Sequence, residues 1–171
     1  MTHGDLISDL LEYDGNSTSI LSQTRELYGT DPNFLADLIA LVADSRSNLS
    51  DGASWILKAE LEEGTELSDD LTEKLIASLN EIVSWPTILH ILQISDHLPL
   101  TEDQTKQMVK WAENYTHHNR PFLRAWSYHT IITLGRRLPD LQGKSNAALV
   151  KAQKDPAASV RTRARNLAGS A

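Results

Sequence analysis

Cysteine is absent from the 171 residues. That rules out a disulfide scaffold, a thiolate metal site and a cysteine nucleophile. Long apolar runs are missing too: nowhere does the chain approach the roughly 18 uncharged apolar residues of a membrane span. The first eleven residues hold Asp5 and Asp9 and no Lys or Arg. A secretory signal needs a basic start and an apolar run, so a cytoplasmic location is the expectation. Glycine occurs eight times, never as G-x-S-x-G, a phosphate-binding loop or a dinucleotide fingerprint. No catalytic residue, no cofactor and no enzymatic activity are therefore expected.

Basic residues are scarce in one part of the chain only. The first 103 residues carry Arg25, Arg46, Lys58 and Lys74 against 20 acidic residues, a balance of −16. The last 68 carry 12 basic residues against Glu113, Asp140 and Asp155, a balance of +9, and the two give the net −7. Asymmetry of this size points to interaction surfaces. The hydrophobic share, 40%, is enough for a core, and the length fits one domain over 1–171.

Helical periodicity recurs along the whole chain. Phe34, Leu35, Leu38, Ile39, Leu41 and Val42 make a wide apolar stripe. Asp31-Pro32 before them reads as an N-cap with proline at the first helical position. A helix from Ser50 should stop at Gly64. Leu67, Leu71, Leu75, Ile76, Leu79 and Ile82 form the next stripe, capped by Ser68. Trp85 to Leu98 is apolar on nearly all sides, so Trp85, Leu89 and Leu92 are expected to face the interior, as are Leu38 and Val42. Thr101 and Gln104 predict a capping box. Helices over Arg120–Arg136 and Leu141–Lys154 follow, and Asp155-Pro156 opens the last. The first 30 residues add a pair broken at Gly15-Asn16. The expectation is ten helices in five antiparallel pairs, an all-α fold.

Successive second helices look alike. Val160-Arg161-x-x-Ala164-x-x-Leu167 follows Asp155-Pro156. Leu123-Arg124-x-x-Ser127-x-x-Thr130 follows Pro121, and Val160 lies 37 residues after Leu123. Trp85-Pro86-x-x-Leu89-x-x-Leu92 and Trp55-Ile56-x-x-Ala59 match in apolar phase. The Asp155-Pro-x-x-x-Val160-Arg161-x-x-Ala164 pattern resembles the second half of a HEAT repeat, of the wider armadillo type. The resemblance implies a short right-handed α-solenoid over 31–171, with 1–30 as an atypical cap. Such hairpins bury their apolar faces only by stacking. Spacings of 30 to 38 are shorter than the usual HEAT period, and Ile56 and Pro86 stand where arginine would be.

The resemblance also implies that Arg124 and Arg161 pair with a carboxylate of an adjacent hairpin, with Asp140 and Asp155 as candidates. A second reading of the same residues is functional. Arg120, Arg124 and Tyr128 at i, i+4 and i+8 make one exposed line, and Arg161 with Arg165 makes another. Together they form a basic strip for an acidic peptide or a nucleic-acid backbone. Among the histidines, only His117 lies i+4 from a carboxylate, Glu113, without further ligands at metal spacing, so no metal is expected. The clusters Glu60-Leu-Glu62-Glu63 and Asp69-Asp70 read as solvated ends. Trp55, Trp85, Trp111 and Trp126 read as core.

The expected function is a non-catalytic protein-binding scaffold, its partner another protein with an acidic surface or peptide, and no membrane. The chain is expected to be a monomer or to self-associate weakly head to tail. Nucleic-acid binding by the basic C-terminal third is the alternative. Some HEAT-like folds are alkyl-base DNA glycosylases that use a Trp and Asp pair on adjacent turns. Trp85 has no Asp within four residues and sits in the acidic part, which argues against that activity.

Overall fold

The computed structural model describes residues 3–169, with the side chains from Gly4 on. Met1, Thr2, Ser170, Ala171 and the His3 side chain, which enter the sequence reading, lie outside it. The described residues form ten α-helices and no strand. They group into two compact units, Met1–Pro99 and Leu100–Ala171. The unit boundary falls four residues before the charge step. The first unit holds 18 acidic and four basic residues (−14), the second five acidic and 12 basic (+7). The last two acidic residues before the step, Glu102 and Asp103, open a helix of the second unit. There they face the positive end of its dipole.

The first unit contains α1 (His3–Leu11), α2 (Thr18–Tyr28), α3 (Phe34–Val42), α4 (Ser47–Glu62), α5 (Asp69–Ser78) and α6 (Trp85–Ile94). Its hub is α4, which packs against α1, α2, α3 and α6. Gly52 makes this possible: a Cβ there would stand 3.0 Å from Leu10 Cδ2 and 3.1 Å from Leu21 Cδ2. At the other end of α4, Gly64 takes φ +98°. The Thr65 N–H then donates to the Glu60 carbonyl and the Gly64 N–H to Leu61, a Schellman stop that glycine alone forms without strain. Leu38, Val42, Ile56, Leu57, Ile91 and Leu92 are fully buried. The expected fifth-and-sixth-helix hairpin is the loosest pair, because α5 packs chiefly on α3 and α6 on α4.

The second unit contains α7 (Glu102–Glu113), α8 (Pro121–Gly135), α9 (Gln142–Gln153) and α10 (Ala158–Gly169). Here α8 is the hub, packed on α7, α9 and α10. The Thr101–Gln104 capping box forms with both of its bonds. Ser127 and Ser145, buried between helices, donate to the carbonyls of Ala112 and Ile132. Each carbonyl also accepts a backbone N–H, from Tyr115 and Arg136, so the buried hydroxyls find partners by sharing acceptors near helix ends.

Two expectations are corrected and a third is qualified. Trp85 is 40% exposed at the first residue of α6, although its neighbours Ser84 and Thr87 meet α4; the buried face of α6 is Thr87, Ile88, Ile91, Leu92 and Ile94, with Leu89 only half-buried. Asp31-Pro32 does not cap α3 directly. The Asp31 carboxylate accepts the Asn33 N–H at 2.9 Å, and the helix starts at Phe34. The acidic run after Glu60 is exposed at Glu62 and Glu63, as expected, but its carboxylates are paired: Arg25 of α2 binds the covered Glu60 and, through both terminal nitrogens, Glu63, while Lys58 holds Glu62.

Candidate anion-binding groove

The expected basic strip is dismantled by geometry. Tyr128 is 6% exposed and Arg124 is mostly covered, so Arg120, Arg124 and Tyr128 do not form an exposed line. The reason is angular. Eight residues at 3.6 per turn advance the side chain by about 80° beyond two full turns. Arg120 sits on the exposed face just before α8, and Tyr128 has rotated into the core.

Arg124 is also fully occupied. Its Nε and one terminal nitrogen donate to the two oxygens of Asp155 at 2.8 and 2.9 Å. Its other terminal nitrogen donates to the His118 carbonyl at 2.8 Å and the Asn119 carbonyl at 3.4 Å. The pair is buried, and Arg124 holds the Asp155 carboxyl below the usual carboxylate range, aided by the Ala157 N–H. Of the two candidate carboxylates, Asp155 is the partner; Asp140 instead pairs with Lys106. Arg161 makes the corresponding backbone contacts, donating to the carbonyls of Asp155 and Pro156, each at 2.7 Å. Arg165 is exposed and, among the described residues, donates to the Thr162 hydroxyl at 2.9 Å.

A different surface has the shape of a site. Helices α7 and α9 flank α8, and ion pairs Lys106–Asp140 and Glu113–Lys144 span the space above it. Next to the second pair lies a cavity of about 280 Å³, floored by Tyr128 and Ile131 and walled by Thr116, Ala147, Ala148 and Lys151. A shallower cavity of about 480 Å³ shares Thr116, Tyr128 and Lys151 with it and runs on past His117, His118 and Asn119 to Pro156. The two are one trough. Two adjacent alanines on α9 leave the room; the floor is apolar at Ile131 and the Tyr128 ring, and the shallower stretch is polar, lined also by Arg124 and Asp155. Burial, with Asp155 nearby, pushes the Tyr128 hydroxyl up from its ordinary pKa, so the floor stays uncharged.

Lys151 is the cation this trough offers. It is exposed and makes no ion pair among the described residues, whereas Lys144 is already held by Glu113 at 2.8 Å. The sequence reading passed over both lysines, although they stand seven apart on one face of α9. Their role depends on α7 and α8 completing the walls, which periodicity within one helix does not reveal.

A second polar assembly lies in the first unit, at the α4–α6 contact. Ser84 and Thr87 donate to one oxygen of Asp51, the latter at 2.8 Å, and the Ser54 hydroxyl meets His90 Nδ1 at 2.9 Å. Burial, then the charge of Lys58, lowers the His90 pKa to about 4. A Ser–His contact beside an aspartate has the composition of a nucleophilic triad but not its access. Ser54 is 0% exposed, and Asp51 binds hydroxyls of α6 rather than the imidazole. No group of three His, Asp or Glu among the described residues is placed to hold a metal ion, and Glu113, the expected neighbour of His117, is engaged by Lys144.

No protein-family model, no curated protein and no solved structure matches this chain.

Proposed function

We propose that this chain is a non-catalytic binding module whose trough between α7 and α9 holds an acidic segment of a partner protein. One observation carries the reading. A groove that is apolar beside Tyr128 and Ile131, polar beyond them, and edged by an uncommitted lysine, Lys151, lies in a unit of net charge +7. Apolar floors with a few placed charges are what peptide grooves offer. Of the residues expected to bind the partner, Arg120 and Arg165 are exposed but line neither cavity, while Arg124 and Arg161 hold loops. A HEAT-like α-solenoid is the fold we propose for this function, supported by the repeated arginine-to-carbonyl tether 37 residues apart.

The test is fluorescence polarisation of a labelled oligoglutamate carrying one leucine, against the same peptide with glutamine for glutamate. Binding of the acidic peptide alone, weakened at least tenfold by Lys151→Glu, is the expected result. Equal binding of both peptides, or indifference to Lys151→Glu, overturns it. A labelled single-stranded oligonucleotide is the comparison. If it binds more tightly than the peptide, with a steep loss as salt rises, the ligand is a phosphate backbone. Solution scattering tests the solenoid: a radius of gyration at or below about 15.5 Å, the value for a compact chain of this length, excludes it.

A further inference from the structure

Arg124 and Arg161 stand 37 residues apart and use one terminal nitrogen in the same way. Each reaches back to the carbonyls six and five residues earlier: His118 and Asn119 for the first, Asp155 and Pro156 for the second. They differ at the opposite edge of the guanidinium. In Arg124 the Nε edge grips both oxygens of Asp155. In Arg161 the same edge has no hydrogen-bond partner among the described residues, and the side chain is half-exposed. A guanidinium fixed by its backbone contacts and open at its fork is preorganised for one bidentate carboxylate.

The chain itself shows the form of that carboxylate. Asp155 is presented by an Asp-Pro turn in which one oxygen accepts the N–H two residues on, from Ala157 at 2.8 Å. The chain has one other Asp-Pro. Asp31-Pro32 makes the same turn, accepting the Asn33 N–H at 2.9 Å, and Asp31 has no ion pair among the described residues. Asp31 belongs to the unit of charge −14 and Arg161 to the unit of charge +7.

We propose that Arg161 of one copy binds Asp31 of a second copy, reproducing between chains the Arg124–Asp155 pair made within one. The two residues differ, so a copy can give its Arg161 to one neighbour and its Asp31 to another. Charge complementarity between the units favours the encounter, and salt weakens it. The trough is not part of this contact.

Sedimentation velocity over a concentration series at low ionic strength tests the proposal. The wild-type chain is expected to associate progressively, and 0.5 M salt to reverse it. Asp31→Asn keeps the oxygen that closes the turn and loses the charge. Arg161→Gln loses the fork. Each alone is expected to weaken association at least tenfold with the helical circular dichroism unchanged. Mixed in equal amounts, the two variants have one competent contact left and should form a dimer that does not grow. Lys151→Glu, which tests the trough, should leave association intact. A wild-type chain that stays monomeric throughout, an Asp31→Asn chain that associates like wild type, or a mixture that forms no dimer overturns the proposal. If Arg161→Gln does not fold, Asp31→Asn alone decides it by the same tenfold criterion.

Discussion

The α4–α6 contact of the first unit and the α8–α10 contact of the second solve one problem by opposite means. Each must bury polar groups where two helices meet. The first uses hydroxyls, with Ser84 and Thr87 of the later helix donating to Asp51 of the earlier one. The second uses charge, and the carboxylate has changed sides: Asp155 precedes the later helix and Arg124 belongs to the earlier one. A hydroxyl can be removed and leave the carboxylate a second donor. Removing one member of a buried ion pair strands the other. The first contact should therefore tolerate substitution and respond to pH through His90, while the second should be intolerant.

The largest expected effect lies in the second contact. Asp155→Ala leaves Arg124 covered and uncompensated and should cost about 3–5 kcal/mol. Urea unfolding measures it, and a loss below about 1 kcal/mol would mean that water reaches the arginine and the two contacts are alike. The next effect belongs to His90. Its folded pKa, near 4, lies below its unfolded value near 6.5. The unfolded chain therefore binds the extra proton between those pH values, and stability falls as pH drops from 6.5 towards 4. The shift sets an upper bound of about 3 kcal/mol on this loss. His90→Asn should flatten that part of the stability profile; an unchanged profile would place the titration elsewhere, with the Asp155 carboxylate contributing only as pH falls further. Thr87→Val is milder, because Ser84 still donates to Asp51, and should cost about 1 kcal/mol in the same urea experiment. The smallest effect is the exposed Lys74–Asp70 pair of α5, where Lys74→Ala should change stability by under about 0.5 kcal/mol.

What the sequence made legible was local. Ten helices, the Ser68 cap, the Thr101–Gln104 box and the Gly64 stop depend on residues within one turn of each other, and all are present. The charge step was legible for the same reason, and it marks the boundary between the compact units to within four residues. The Arg124–Asp155 pair was one of the contacts that the resemblance to a HEAT repeat implied, with Asp140 as the other candidate; the carboxylate it implied for Arg161 is not there among the described residues. The trough could not. Glu113, Tyr128, Lys144 and Lys151 come from three helices, and no spacing along the chain says which faces meet. Trp85 and Tyr128 failed for a simpler reason. Apolar character does not bury a residue at the first position of a helix, and an i+8 spacing drifts by about 80° off a shared face.

Trp126 has a consequence of another kind. The Arg163 guanidinium lies 3.5 Å from its ring centroid, and the His129 ring lies 4.8 Å away on the same helix. Arg163 comes from α10 and the indole from α8, so their stacking exists only while those two helices are apposed. A cation against an indole face alters its excited state, and separation restores the unperturbed emission. With Trp55, Trp85 and Trp111 replaced by phenylalanine, the protein would carry a native optical gauge. Its brightness would report whether α8 and α10 stay apposed, without any added label.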